Sequence, residues 1–249
     1  MPAPVQIIGS FISPYVRKVL VCLDLKGIAY EIDPIIPFMG DDRFSQLSPL
    51  RRIPVFRDAR VALTDSSVIC QYLEDAQPEP AIYPRDIADR ARARWLEEYA
   101  DTRMGDVIIW RLFNQVAINP RVWGLPTDEA ILKRTLEVEL PDVLGQLEAQ
   151  LPAEGFLFGA VSIADVSIAC FFRNAAFARY AVDPARWPKT AAFIERVLAL
   201  PSFARLKPFE DKMIRTPIPQ HREALAAIGA PLMSETYGTA TPRRGVMPV

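Results

Sequence analysis

Apolar residues at Val16, Val19, Leu20 and Leu23 recur at i, i+3, i+4 and i+7, the period of a helix with one buried face. The pattern predicts a helix over about 14–26. Ser13-Pro14 opens it, and Gly27 stands where a helix end favours a residue free to take positive φ. Short apolar runs flank it, VQII before and IAYEI behind. Farther on, PVFRD and VAL bracket Ala59-Arg60, a connection suited to an antiparallel hairpin. Asp65-Ser66 then lead into Val68, Ile69, Tyr72 and Leu73 at helical spacing. The order β-α-β then β-β-α is that of a small α/β domain closing near Leu73.

The stretch QPEPAIYP, 77–84, has prolines at 78, 80 and 84, too many for a helix or a central strand, and predicts a linker. Beyond it no strand alternation is evident. Helical patterns run roughly over 86–114, 127–150, 162–179 and 188–200, separated by breaks that carry Pro or Gly. Ser162-x-x-Asp165 before an apolar run has the form of a capping box with Asp in the acidic slot. From about Thr216 the chain is rich in proline, and predicts a short helix at 220–228 followed by an extended or disordered tail. The expected division is therefore 1–76 for the α/β domain, 77–85 for the linker, 86–210 for an all-helical domain and 211–249 for a C-terminal extension.

A chain of 249 residues, half of them hydrophobic, can bury a substantial core. Its 29 basic and 30 acidic residues leave a net charge of −1, which gathers neither nucleic acid nor anionic lipid, so the expected partner is a small molecule or another protein. Cys22, Cys70 and Cys170 lie in apolar stretches without C-x-x-C spacing, the pattern of reduced thiols; no metal site is expected. The start MPAPVQIIGS lacks a basic then apolar leader pattern, and no run of about 18 apolar residues occurs. A cytoplasmic protein that does not enter the membrane is the expectation.

Three short stretches carry candidate chemistry. Ser13 before Pro14 reads as an ordinary helix cap, or as a hydroxyl that holds a reactive group at the positive end of the helix. Ile53-Pro54, preceded by Arg51 and Arg52, reads as a plain strand entry, or as a cis bond that turns the backbone before it outward. Asp65-Ser66 reads as another cap, or as a place where exposed amides and a hydroxyl receive a carboxylate while the acid pairs with an ammonium. His221 is the single histidine and no G-x-S-x-G elbow occurs, which argues against a Ser-His-Asp hydrolase. G-x-G-x-x-G is also absent, which weakens a dinucleotide site.

Together, SPYVRKV with KGIAYE behind it, RRIPVF, DSSVICQYL and GAVSIADV resemble the cytosolic glutathione transferase superfamily over about residues 4–210. The likeness is nearest to classes that use a serine before Pro-Phe or Pro-Tyr, tau-like plant enzymes and bacterial relatives among them. It implies a thioredoxin-like α/β N-terminal domain followed by an all-α C-terminal domain, glutathione as co-substrate, and a homodimer. In the related glutaredoxins the first turn reads Cys-Pro-Tyr-Cys, so Ser13-Pro14-Tyr15-Val16 resembles that turn with both sulfurs removed. Ser13 is then implied as a hydroxyl donor to the glutathione thiolate and not as a nucleophile, with Ser10 as the alternative hydroxyl.

The same resemblance implies that Ile53, freed by a cis Pro54, pairs its backbone with the cysteinyl unit, that Asp65 and Ser66 bind the γ-glutamyl end, and that Arg52 lies near the glycyl carboxylate. Asp65 departs from the commoner Glu, and Arg51 stands where many members have Gly. Phe11, Met39, Arg103, Val107, Trp110 and Arg111 are candidates for the electrophile pocket, although residues such as Val107 and Trp110 on a long helix are more often core or subunit interface. The implied reaction is conjugation of glutathione to a small hydrophobic electrophile. Glutathione-dependent dehalogenase, lyase, isomerase or peroxidase chemistry, and binding without turnover, are the alternatives.

Overall fold

The structure, a computed structural model, describes residues 4–245. The chain folds as two compact units, one made of the residues up to Pro80 together with those from Ser202 onward, the other spanning Ala81–Pro201.

In the first unit, β1 (Val5–Ile8), α1 (Pro14–Leu25) and β2 (Tyr30–Asp33) form a β-α-β segment in which β1 and β2 are parallel. After a short 3-10 turn and α2 (Asp42–Leu47) come β3 (Val55–Arg57), β4 (Ala62–Thr64) and α3 (Ser66–Ala76). The strand order is β2-β1-β3-β4, with β3 antiparallel to both β1 and β4. Ile7 stands opposite Ile32 on one side and Phe56 on the other, so the central strand is buried. Val16, Val19, Leu20 and Leu23 of α1 and Ile69 and Leu73 of α3 are buried, the stripes that their spacing predicts. Gly27 ends α1 with φ 67° and the hairpin turns at Asp58, whose Oδ1 accepts from the amides of Arg60 and Val61 at 2.8 Å each.

The second unit is helical throughout. α4 (Ile87–Tyr99) continues without a break into a wider-wound stretch, Ala100–Trp123, that ends at Gly124 with φ 64°. It is followed by α5 (Glu129–Arg134), a wide turn at Thr135–Glu139, α6 (Leu140–Gln150), α7 (Ile163–Phe177) and α8 (Pro188–Leu198). Asp165 closes the capping box: its Oδ2 accepts from the Ser162 amide at 2.8 Å and hydroxyl at 2.6 Å, and its Oδ1 from the Leu157 amide at 2.9 Å. No helix among the described residues is long and apolar enough to cross a membrane.

The C-terminal part differs from the division expected at residue 210. α9 (Pro201–Arg215) groups with the first unit from Ser202 on, and α10 (His221–Ala226) follows it. Beyond α10 the chain is extended, as expected, but pinned. The amide of Ile32 donates to Pro231 at 2.8 Å and the amide of Met233 to Ile32 at 3.0 Å, so the tail lies along the outer edge of β2. It then runs past Met39, whose carbonyl accepts from the Thr239 amide at 2.7 Å. The tail is thus a strap on a sheet edge, because β2 offers backbone groups that the tail can satisfy.

Candidate active site

The end of β1 leads through Gly9 into a tight turn, Ser10–Ser13, closed by the Ser13 amide on the Ser10 carbonyl at 3.0 Å. Pro14 takes the first helical position of α1 and Ser13 caps it, its Oγ accepting from the Val16 amide at 3.4 Å. A side chain on Gly9 would place its Cβ 2.6 Å from Val16 Cγ2 and 3.2 Å from the Ile53 Cβ. Glycine here therefore lets the first turn of α1 and the loop before β3 close on each other. That loop carries a cis bond between Ile53 and Pro54, as the sequence suggested. Ser48 holds it: its Oγ accepts from the Arg52 amide at 2.9 Å and donates to the Arg52 carbonyl at 2.8 Å.

Asp65 caps α3, its Oδ1 accepting from the amides of Ser67 at 3.0 Å and Val68 at 3.2 Å. Its φ of 77° is in a region that non-glycine residues seldom enter, and such strain is common where a chain must present a side chain to a ligand. Lys18 Nζ donates to Ser67 Oγ at 3.1 Å and so joins α1 to the first turn of α3. The first unit thus brings together the start of α1 with Ser13, the cis Ile53–Pro54 bond and the start of α3 with Asp65 and Ser66. Asp65 and Arg52 are exposed, Ser13 is partly so, and Ser66 and Ile53 are buried.

Ser10 and Arg51 each have partners within the turn and loop that carry them. Ser10 is 2 % exposed; its hydroxyl accepts from the Ile12 amide at 3.2 Å and donates to Met213 Sδ at 3.4 Å, so it serves the turn. Arg51 has φ 51°, which explains why glycine suits that position, and its guanidinium donates to the Gly40 carbonyl at 2.8 Å. Burial, followed by the nearby charge of Arg243, lowers its pKa below the usual arginine value.

Of the pocket candidates, Phe11 and Val107 are enclosed. Phe11 is 1 % exposed and packs on Phe209 with ring centroids 5.1 Å apart, and Val107 is fully buried, so neither walls an open pocket. Both are apolar groups adjoining a core that gains more by enclosing them. Met39 is half-buried beneath the strap. In the second unit, Arg103 pairs with Asp142 at 3.2 Å, and Arg111 with Asp106 at 3.1 Å and Glu139 at 2.9 Å. Trp110 is half-buried on the same helix. Sequence reasoning missed Arg17 and Lys18, both buried beside Ser13; the available signal was two adjacent cations in the first turns of an otherwise apolar helix. Among the described residues no group of His, Cys, Asp and Glu could hold a metal ion.

Comparison with known proteins gives a consistent result. The family model described as Glutathione S-transferase, N-terminal domain, matches residues 7–81, and that for the C-terminal domain matches residues 91–196. An uncharacterised GST-like protein of Escherichia coli, YibF, is 28 % identical over 208 residues, 82 % of this chain and 98 % of its own length. Glutathione S-transferase U13 of Arabidopsis thaliana is 30 % identical over 173 residues, covering 67 % of this chain and 70 % of that protein. The solved structure of a glutathione S-transferase-I bound with lactoylglutathione superposes with a TM-score of 0.71 at 22 % identity, over 83 % of this chain and 99 % of the other. At that identity the superposition speaks for the fold alone.

Proposed function

Because the chain belongs to the glutathione transferase superfamily, we propose that it binds glutathione and ionises its thiol at Ser13 for attack on a small hydrophobic electrophile. The observation that carries this reading is the Ser13 cap: its oxygen accepts from the Val16 amide, which leaves the hydroxyl proton to be donated outward beside the helix start. The cis peptide at Ile53–Pro54 and the strained cap at Asp65 support it.

Glutathione would lie with the backbone of its cysteinyl unit against Ile53, its γ-glutamyl ammonium and carboxylate at Asp65 and Ser66, and its glycyl carboxylate near Arg52. An ordinary thiol has a pKa of about 8.5. A hydrogen bond to its charged form contributes about 1.5–3 kcal/mol and a helix start about 0.3–1 kcal/mol. At about 1.4 kcal/mol per pKa unit, the two lower the thiol pKa by roughly one to three units. The thiol proton leaves to solvent, the thiolate forms a C–S bond to the electrophilic carbon, and the leaving group departs with its electron pair. Ser13 stabilises the sulfur anion and stays chemically unchanged. The active species on this reading is a homodimer.

The test is calorimetric titration with glutathione together with conjugation of a chlorodinitrobenzene. Binding with turnover is expected, and Ser13→Ala is expected to lower kcat by about 10–100-fold, the worth of one charge-assisted hydrogen bond. Absence of glutathione binding removes the reading; binding without turnover reduces it to a binding protein.

A further inference from the structure

The turn that presents Ser13 is held from an unexpected direction. Arg17 occupies the fourth helical position of α1, and helical side chains lean back toward the N-terminus. Its Nη2 accordingly reaches the carbonyls of Ile12 at 3.3 Å and Phe11 at 3.4 Å, the two central residues of the Ser10–Ser13 turn. Its Nε donates to the Glu210 carboxylate on α9, a pair in which Arg17 is fully buried and Glu210 is 2 % exposed. The same face of α9 supplies Phe209 to Phe11 and Met213 to Ser10. The two central carbonyls of the turn are therefore tied to Arg17, and the side chains of Ser10 and Phe11 to α9.

We infer that Arg17, oriented by Glu210, is a positioning residue for Ser13. The inference rests on the reading of Ser13 as the thiolate donor. A guanidinium with both carbonyls of the turn on one edge and a carboxylate on another fixes the peptide planes before Ser13, and with them the direction of its hydroxyl. Because Glu210 compensates the charge of Arg17, the pair acts through geometry and adds little net field at the sulfur. α9, distant in sequence, thereby supports the turn that carries Ser13.

The experiment is a double-mutant cycle between positions 13 and 17 on the full chain. Its readouts are the spectroscopic pKa of the bound glutathione thiol and kcat and KM for glutathione with a chlorodinitrobenzene. Arg17→Met is expected to raise the bound-thiol pKa and lower kcat about tenfold, with KM changed less than about threefold. Arg17→Lys, which keeps one donor but not the fork, is expected to recover part of the loss. On a Ser13→Ala background Arg17→Met is expected to change neither readout further. Additive effects in the cycle, or an unchanged thiol pKa in folded Arg17→Met, overturn the inference. If Arg17→Met does not fold, the cycle is run with Arg17→Lys and judged by the same criterion. A Ser13→Ala protein that already titrates and turns over like the parent sinks the function proposed above, a different outcome from additivity.

Discussion

The Tyr237 amide donates to Asp33 Oδ2 at 2.7 Å, fastening the C-terminal strap to the last residue of β2. Asp33 is fully buried and also accepts from Arg222 at 3.1 Å and Thr236 Oγ1 at 3.2 Å, while the Tyr237 hydroxyl accepts from Arg57 at 2.6 Å. Removal of the chain from Pro231 onward leaves this carboxylate without its strap partners and opens the β2 edge. Arg222 still pairs with Asp33, but two hydrogen bonds to its charged group are lost, about 1.5–3 kcal/mol each, and in a protein of this size each kcal/mol shifts Tm by roughly 2–4 °C. Calorimetry should therefore show a Tm lower by roughly 6 °C or more, and light scattering should show concentration-dependent association through the exposed edge. An unchanged Tm and particle size would refute the strap.

Asp65 caps α3 and is proposed to meet glutathione, and one substitution separates the two. Asn caps helices about as well as Asp and tolerates positive φ, so Asp65→Asn should keep stability within about 0.5 kcal/mol. It removes the negative charge proposed to meet the glutathione ammonium. The difference between a charged and a neutral hydrogen bond is about 1 kcal/mol, or roughly fivefold in Kd. Calorimetric titration is the measure, and parent-like affinity in this variant would mean that the ammonium binds elsewhere.

The legible parts of the fold are those where period and punctuation agree. α1, the hairpin and α3 follow from apolar spacing with Ser13-Pro14, Gly27 and Asp65 as marks. α2 is six residues long, too short to display a period, and α9 contains Pro208 in its interior, which argues against a helix even though Phe203, Leu206 and Met213 supply a buried face. The strap is held by backbone groups, which every sequence possesses, and by side chains about 200 residues apart in the chain, so no local pattern announces it. Arg17 illustrates the opposite difficulty: a guanidinium is read as surface until a carboxylate 193 residues away is found to cover it. Ser13 and the cis Pro54 were visible locally, whereas the closeness of α1 to Ile53 depends on Gly9, whose role is steric and leaves no chemical signature.

Restoring one sulfur to the turn should change the chemistry. In Ser13→Cys a thiol takes the cap position, where the helix start lowers its pKa. With glutathione disulfide, that thiolate attacks one sulfur, forms a mixed disulfide and releases one glutathione thiolate. Mass spectrometry should find one added glutathionyl group on the variant and none on the parent, since Cys22, Cys70 and Cys170 are all buried. Failure to label the folded variant would place position 13 out of reach of glutathione.

The second unit offers a pH test independent of the site. Glu148 on α6 accepts from the amides of Lys189 at 3.0 Å and Thr190 at 2.9 Å and from the Thr190 hydroxyl at 2.8 Å, capping α8 from another helix. Burial alone pushes its pKa upward, but the bonds from Thr190 and Lys189 outweigh it and hold the carboxyl below its ordinary value. A depressed folded pKa means that the unfolded chain binds the proton first as pH falls. The stabilisation is complete above the ordinary Glu range of about 4.3, and is lost as pH falls through the lower folded value. Glu148→Gln keeps the shape and one acceptor but loses the charge, so it should be less stable by about 0.5–2 kcal/mol at neutral pH. The gap between parent and variant should narrow progressively as pH falls below the ordinary Glu range in denaturant titrations. A gap that persists undiminished in acid would show that packing of the side chain, and not its charge, holds the start of α8.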